Sequence, residues 1–118
     1  MDIKELDKAL QQIVELRAEL GKLDYSNPKY DDLEEKLHGV EDAFQDKYGV
    51  FLEEVLQKVH DEHCPDNDVL LPIAYIGEGI PVELEKMPGK DVRLALSSNP
   101  PRLFLRAKDK QQLVWEGK

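Results

Sequence analysis

The sequence predicts an α+β fold: an N-terminal antiparallel helical hairpin with an extended second arm, then a small antiparallel β-meander of four to five strands. Three observations predict it. Apolar residues recur at steps of three and four from Ile3 to Val59. From Val69 onward the period changes to two. Turn-forming residues gather at the joints, in "LDYSNPKYDD", "CPDND", "GEG", "MPGK" and "SSNPP".

The first helix is expected over residues 2–22. Ile3, Leu6, Leu10, Ile13 and Leu20 form its apolar stripe, widened by Val14 and Leu16, with Arg17 the one break. Asp2, followed by Glu5, is a capping-box-like start, and Gly21 fits a left-handed stop. In the second helix Asn27 can cap, Pro28 suits the first turn, and Asp31 and Asp32 favour the positive end of the dipole. Its stripe runs Tyr30, Leu33, Leu37, Val40, Phe44, then Tyr48, Leu52, Val55, Val59. Two successive steps of four shift the stripe at Tyr48, so the neighbouring Gly49 is expected to bend or break the helix.

A length argument assigns the overhang. The first helix is roughly 32 Å long, whereas residues 28–63, if continuous, span roughly 54 Å. Residues 50–63 therefore extend beyond the hairpin and need another partner. The face formed by Phe51, Leu52, Val55 and Val59 is the natural cover for the sheet.

The strands follow in order. "VLLPIAYI" (69–76) holds Pro72 and suggests an irregular or edge strand. "PVELE" (81–85), "VRLAL" (92–96), "RLFLRA" (102–107) and "QLVWE" (112–116) alternate. Val82, Leu84, Val92, Leu94, Leu96, Leu103, Leu105 and Trp115 are expected to face inward. Short links imply antiparallel neighbours, and Pro88-Gly89 fits the centre of a type II turn. The whole reads as a single domain, 1–118, with a hairpin (1–48), a connecting helix (50–63) and a sheet (69–117).

Charge and composition exclude several function classes. The net charge is −9, which argues against general nucleic-acid or anionic-membrane binding. It is unevenly spread: residues 1–79 carry 20 acids and 8 bases, and residues 80–118 carry 5 acids and 8 bases. There is no long apolar run of membrane-spanning length. The charged start "MDIKELDKAL", with no signal-peptide core, and a single cysteine lead to the expectation of a cytosolic protein.

The densest cluster of potential ligands is "VHDEHCPDND" (59–68). On a helix His60 and Cys64 share a face, and His63 lies close to it, so the three could begin a site for zinc or another divalent transition metal, helped by Asp66 or Asp68. The plainer alternative is a helix terminus, where histidines meet the negative dipole end and Pro65 stops the helix. Cys64 makes a poor nucleophile, because the surrounding carboxylates and the helix C-terminus both raise a thiol's pKa. The paired carboxylates along the helices read as solvated surface rather than acid–base machinery. "RLFLRAKDK" places Arg102, Phe104 and Arg106 on one strand face. Such a face can bind single-stranded nucleic acid or an acidic peptide, or be an exposed face whose arginines shield Phe104 and pair with acids, which the acidic total favours.

The hairpin-then-sheet order, with "LDYSNPKYDD" at the tip, resembles the Gre-type bacterial transcription factors. That resemblance implies a polymerase-binding factor acting through acidic residues at the tip. Asp24 is present here, but the acidic partner within the turn is not. The residues themselves lead to the expectation of a non-enzymatic interaction or regulatory module with no cofactor, the metal-binding protein and the polymerase-binding factor being the alternatives. A thin hairpin leaves apolar stripe uncovered, so a homodimer is expected through Ile3, Leu6, Leu10 and Ile13 of the first helix and Leu33, Leu37 and Val40 of the second.

Overall fold

The computed structural model describes residues 1–108 and 110–117, leaving aside the side chains at 87, 88 and 90. Two helices come first, α1 (Ile3–Gly21) and α2 (Tyr30–His63), followed by a short 3₁₀ turn (Pro72–Tyr75). Four strands then form one antiparallel sheet in the order β1 (Ile80–Leu84), β2 (Met87–Ser97), β3 (Arg102–Arg106), β4 (Gln111–Glu116). The fold class is α+β, as the change of period predicts.

Local chemistry sets the helix ends. The Asp2 carboxylate accepts the Lys4 and Glu5 amides at 3.0 and 3.2 Å, satisfying two of the free donors at the start of α1. Gly21 stays helical and Lys22 closes the helix in a right-handed conformation, so the expected left-handed stop does not form. At the tip the Asn27 side chain accepts the Lys29 amide at 2.9 Å and its carbonyl accepts the Tyr30 amide at 3.0 Å. The tip turn thus leads directly into α2. Pro65 lies just beyond its other end.

α2 runs unbroken through Gly49 for 34 residues. The expected break is absent, and Gln45 occupies the space beside the glycine. Its side chain lies over Gly49, where a Cβ would sit, and its amide reaches Glu53 at 3.4 Å, two turns on. The glycine leaves room for a neighbouring side chain rather than loosening the backbone.

One core unites the molecule. Leu6, Leu10, Ile13 and Leu16 of α1 meet Leu37, Phe44, Tyr48, Leu52, Leu56 and Val59 of α2 and the inward residues Val82, Leu84, Val92, Leu94, Leu96, Leu103 and Leu105. Every strand residue expected to face inward is buried except Trp115, which is half-buried and packs edge-on against Phe51. The overhanging half of α2 covers the sheet, and Asp7 of α1 accepts the Asn99 amide at 2.7 Å. Most of the stripe assigned to a homodimer is thereby spent inside the protomer. Leu6, Leu10, Ile13 and Leu37 are buried, and Ile3, Leu33 and Val40 pack half-buried against the same core. Using that stripe between copies would require opening the core.

Two strand expectations are corrected. The run 69–76 is not a strand: Pro72 has no amide for a ladder, and the Ala74 amide instead bonds the Leu71 carbonyl at 2.9 Å in the 3₁₀ turn. Only Ile76 touches the sheet as an isolated bridge, to Leu96. The β1–β2 reversal lies at Glu85-Lys86 rather than Pro88-Gly89, which falls within a register shift between Val82↔Val92 and Leu84↔Met87. Gly89 does take the positive φ a type II turn asks of it, 83°, but within the strand.

Arg17, the break in the α1 stripe, has a structural use. It pairs with Glu41 at 2.6 Å and donates to the Ile73 and Ile76 carbonyls at 3.3 and 3.1 Å. A single side chain thus pins the 3₁₀ turn onto both arms of the hairpin.

Candidate functional site

The histidine–cysteine cluster connects the end of α2 to the segment that leads into the sheet. His60 is 1% exposed, and both ring nitrogens are engaged. Nδ1 lies 3.0 Å from the Asn67 carbonyl and Nε2 lies 3.0 Å from the Tyr75 hydroxyl. That hydroxyl also accepts the Leu70 amide at 3.0 Å. One proton arrangement satisfies all of them: the Leu70 N–H donates to Tyr75, the Tyr75 O–H donates to Nε2, and Nδ1–H donates to Asn67. His60 therefore has no nitrogen left for a metal. His63 sits half-buried with Nε2 3.8 Å from Glu62. Among the described residues, no group of three or more His, Cys, Asp or Glu side chains is placed to hold a metal ion. The sequence brings His60, His63 and Cys64 together along the chain, and the structure does not bring them to one point.

Cys64 is fully buried, and burial pushes its thiol up, away from the reactive thiolate. Burial also raises the Tyr75 phenol, against a smaller lowering by the Leu70 amide. The segment after α2 then anchors β1: the Glu83 amide donates to the Asn67 side chain at 2.8 Å, and the Glu85 amide to the His63 carbonyl at 3.0 Å. These bonds cap an otherwise open sheet edge. "VHDEHCPDND" is the joint between helix and sheet.

The outer face of the sheet gathers the stronger chemistry. Inward Leu94↔Leu105 and Leu96↔Leu103 leave Arg93↔Arg106, Ala95↔Phe104 and Ser97↔Arg102 on the opposite side. Arg93 and Arg106 are thus like charges directly opposed on adjacent strands, a placement that costs about 0.2–1 kcal/mol. The loop before β1 holds them in place: the Gly79 carbonyl accepts Arg93 Nη1 at 3.1 Å, and the Gly77 carbonyl accepts Arg106 Nη1 at 3.3 Å. Gly79 has φ +81°, and a Cβ there would meet the Leu94 carbonyl, so only glycine lets this loop lie so close to β2.

Phe104 sits in the middle of this face, with the Arg102 and Arg106 guanidinium carbons 5.1 and 5.9 Å from its ring centre. Its cross-strand partner Leu113 is 49% exposed. The arginines shield Phe104, as the sequence suggests. Arg102 lies opposite the acidic Glu116 of β4, whereas neither Arg93 nor Arg106 forms an ion pair among the described residues. The Nε donors of Arg102 and Arg106 are buried without an acceptor among the described residues. Arg93 went unmarked in the sequence because its motif, "VRLAL", is ordinary alternation. Only the β2–β3 register sets it opposite Arg106.

At the hairpin tip Asp24 serves the turn. Its carbonyl accepts the Asn27 amide at 2.9 Å, and its carboxylate lies 3.5 Å from the Ser26 amide. No helix among the described residues is long and apolar enough to cross a membrane. Comparison with known proteins finds no matching family model, curated protein or solved structure.

Proposed function

We propose that this protein is a non-enzymatic interaction module that holds an acidic, extended segment of a partner protein on the open face of its sheet. The observation that carries the proposal is the opposed pair Arg93 and Arg106, held by main-chain carbonyls and left without a counter-charge among the described residues. A carboxylate placed between the two guanidiniums replaces their repulsion with charge-assisted hydrogen bonds.

The spacing favours an extended peptide. From Arg106 to Arg102 is four strand residues, roughly 13 Å. An extended segment with acids four residues apart has the same span, and an apolar residue midway falls on the Phe104–Leu113 row. A nucleic acid fits less well. Two guanidiniums already flank Phe104, the ring that base stacking would need.

The test is an NMR titration of the isotope-labelled protein with a Glu-x-Leu-x-Glu peptide, beside the same peptide carrying lysines. Shifts are expected on β2 and β3 around Arg93 and Arg106, weakening with salt and absent for the lysine peptide. Arg93→Ala should weaken binding about tenfold while raising stability by up to ~1 kcal/mol, because it removes the like-charge opposition. Equal binding of both peptides, or shifts elsewhere, would refute the site.

A further inference from the structure

The arginine pair on the sheet face calls for more negative charge than one carboxylate brings. Arg93 and Arg106 start from directly opposed positions on β2 and β3. Their heads end on the same three-residue stretch: Arg93 Nη1 donates to the Gly79 carbonyl at 3.1 Å, and Arg106 Nη1 to the Gly77 carbonyl at 3.3 Å. The two guanidiniums therefore converge. The carbonyls take one N–H from each and bring no charge. Glu78, between the two glycines, is exposed and forms no ion pair with either arginine among the described residues. Arg106 also has its Nε donor buried without an acceptor among the described residues. Arg102 differs from both, because Glu116 lies opposite it. The unmet demand is thus local: two fixed positive charges, side by side, with most of their donors open.

Resting on the reading of this face as the site of an extended acidic segment, we propose that the group held between Arg93 and Arg106 is the phosphate of a phosphorylated serine or threonine in that segment. Charge decides first. A carboxylate cancels one of the two positive charges, whereas a phosphate monoester carries about −1.5 to −2 near pH 7 and cancels both. Geometry decides second. The two oxygens of a carboxylate are filled by one guanidinium fork, while three phosphate oxygens let each fork take two and share one. The like-charge opposition that weakens the free sheet thereby becomes a source of selectivity. Asp91 and Glu83 lie a step further along β2 and β1 on the same face, both exposed. They turn away further acids on that side, so the segment runs the other way, over Phe104. Phosphorylation of the partner then switches its binding on.

The test is an NMR titration of the full chain at about pH 7.5, where the phosphate is dianionic. Three peptides are compared, Glu-x-Leu-x-Glu, phosphoSer-x-Leu-x-Glu and Ser-x-Leu-x-Glu, beside inorganic phosphate alone. The phosphoserine peptide should bind at least about tenfold tighter than the glutamate peptide, and the serine peptide weakest. At about pH 5.5 the gap should shrink, because the phosphate loses its second charge while glutamate keeps its own. Arg106→Lys keeps the charge and removes the fork, so it should weaken the phosphoserine peptide more than the glutamate peptide. Equal affinity of those two peptides would overturn the phosphate assignment and leave the acidic-segment reading standing. Binding by none of the three would overturn both. Inorganic phosphate binding as tightly as the phosphoserine peptide would show an anion site indifferent to a partner, which also overturns the proposal.

Discussion

Replacing Tyr75 by phenylalanine removes one oxygen atom and, by the geometry around His60, two hydrogen bonds. The ring stays, so its packing in the core is retained and the effect isolates the hydroxyl. Loss of the 3.0 Å contact strands His60 Nε2 at a site 1% exposed, where no water replaces the donor. An unsatisfied buried acceptor costs about 1–3 kcal/mol. The Leu70 amide loses its 3.0 Å acceptor as well, but Leu70 is 46% exposed, so water recovers most of that bond. The expected loss is therefore about 2–3 kcal/mol. For a chain of this size it lowers Tm by roughly 6–15 °C. Urea unfolding should show a lower midpoint at an unchanged slope. A double-mutant cycle sharpens the test. In a His60→Leu background the acceptor is already gone, so Tyr75→Phe should cost at least about 1 kcal/mol less. A loss under about 0.5 kcal/mol in the wild-type background, or strict additivity with His60→Leu, would refute the wiring.

Other outcomes are specific. Gly49→Ala should stabilise by up to about 1 kcal/mol, because the helix gains propensity and only the flexible Gln45 amide must move aside; destabilisation in thermal melts would show that the Gln45–Glu53 bridge matters more. The Cys64 thiol and Tyr75 phenol both have raised pKa values in the fold, so above about pH 8.5 the unfolded chain sheds protons that the folded chain retains. Their contribution to stability is complete below that pH and is lost as pH rises. Cys64→Ala should flatten the alkaline decline seen by urea titration. Added zinc should leave Tm unchanged, since both His60 nitrogens are engaged; a zinc-dependent rise abolished by His60→Ala would overturn that assignment.

Much of the fold was legible because two periods settle it. The three-four stripe gave α1 and α2 to within two residues of their ends, and strand alternation put Val82 through Leu105 on the correct face. What resisted was decided by single contacts between distant segments. Arg17 looked like a flaw in a stripe until Glu41 and the 73 and 76 carbonyls came within its reach. Gly49 looked like a breaker because sequence cannot show Gln45 lying across it. The homodimer stripe illustrates the same limit, since an apolar face does not say whether its cover comes from the same chain. The histidine cluster is a helix end, as its dipole position and Pro65 indicate. The Tyr75 hydroxyl that completes it lies past a proline in a run that resembled a strand. The arginine face was half visible in "RLFLR"; the other half depended on a register shared with β2.

The unbroken path of α2 through Gly49 makes the molecule a spacer of fixed length. From Leu33, near the hairpin tip, to Val59, beneath the sheet, the helix rises about 39 Å. Surfaces at the two ends of one continuous helix keep a set separation and a set rotation, where a flexible tether would let both vary.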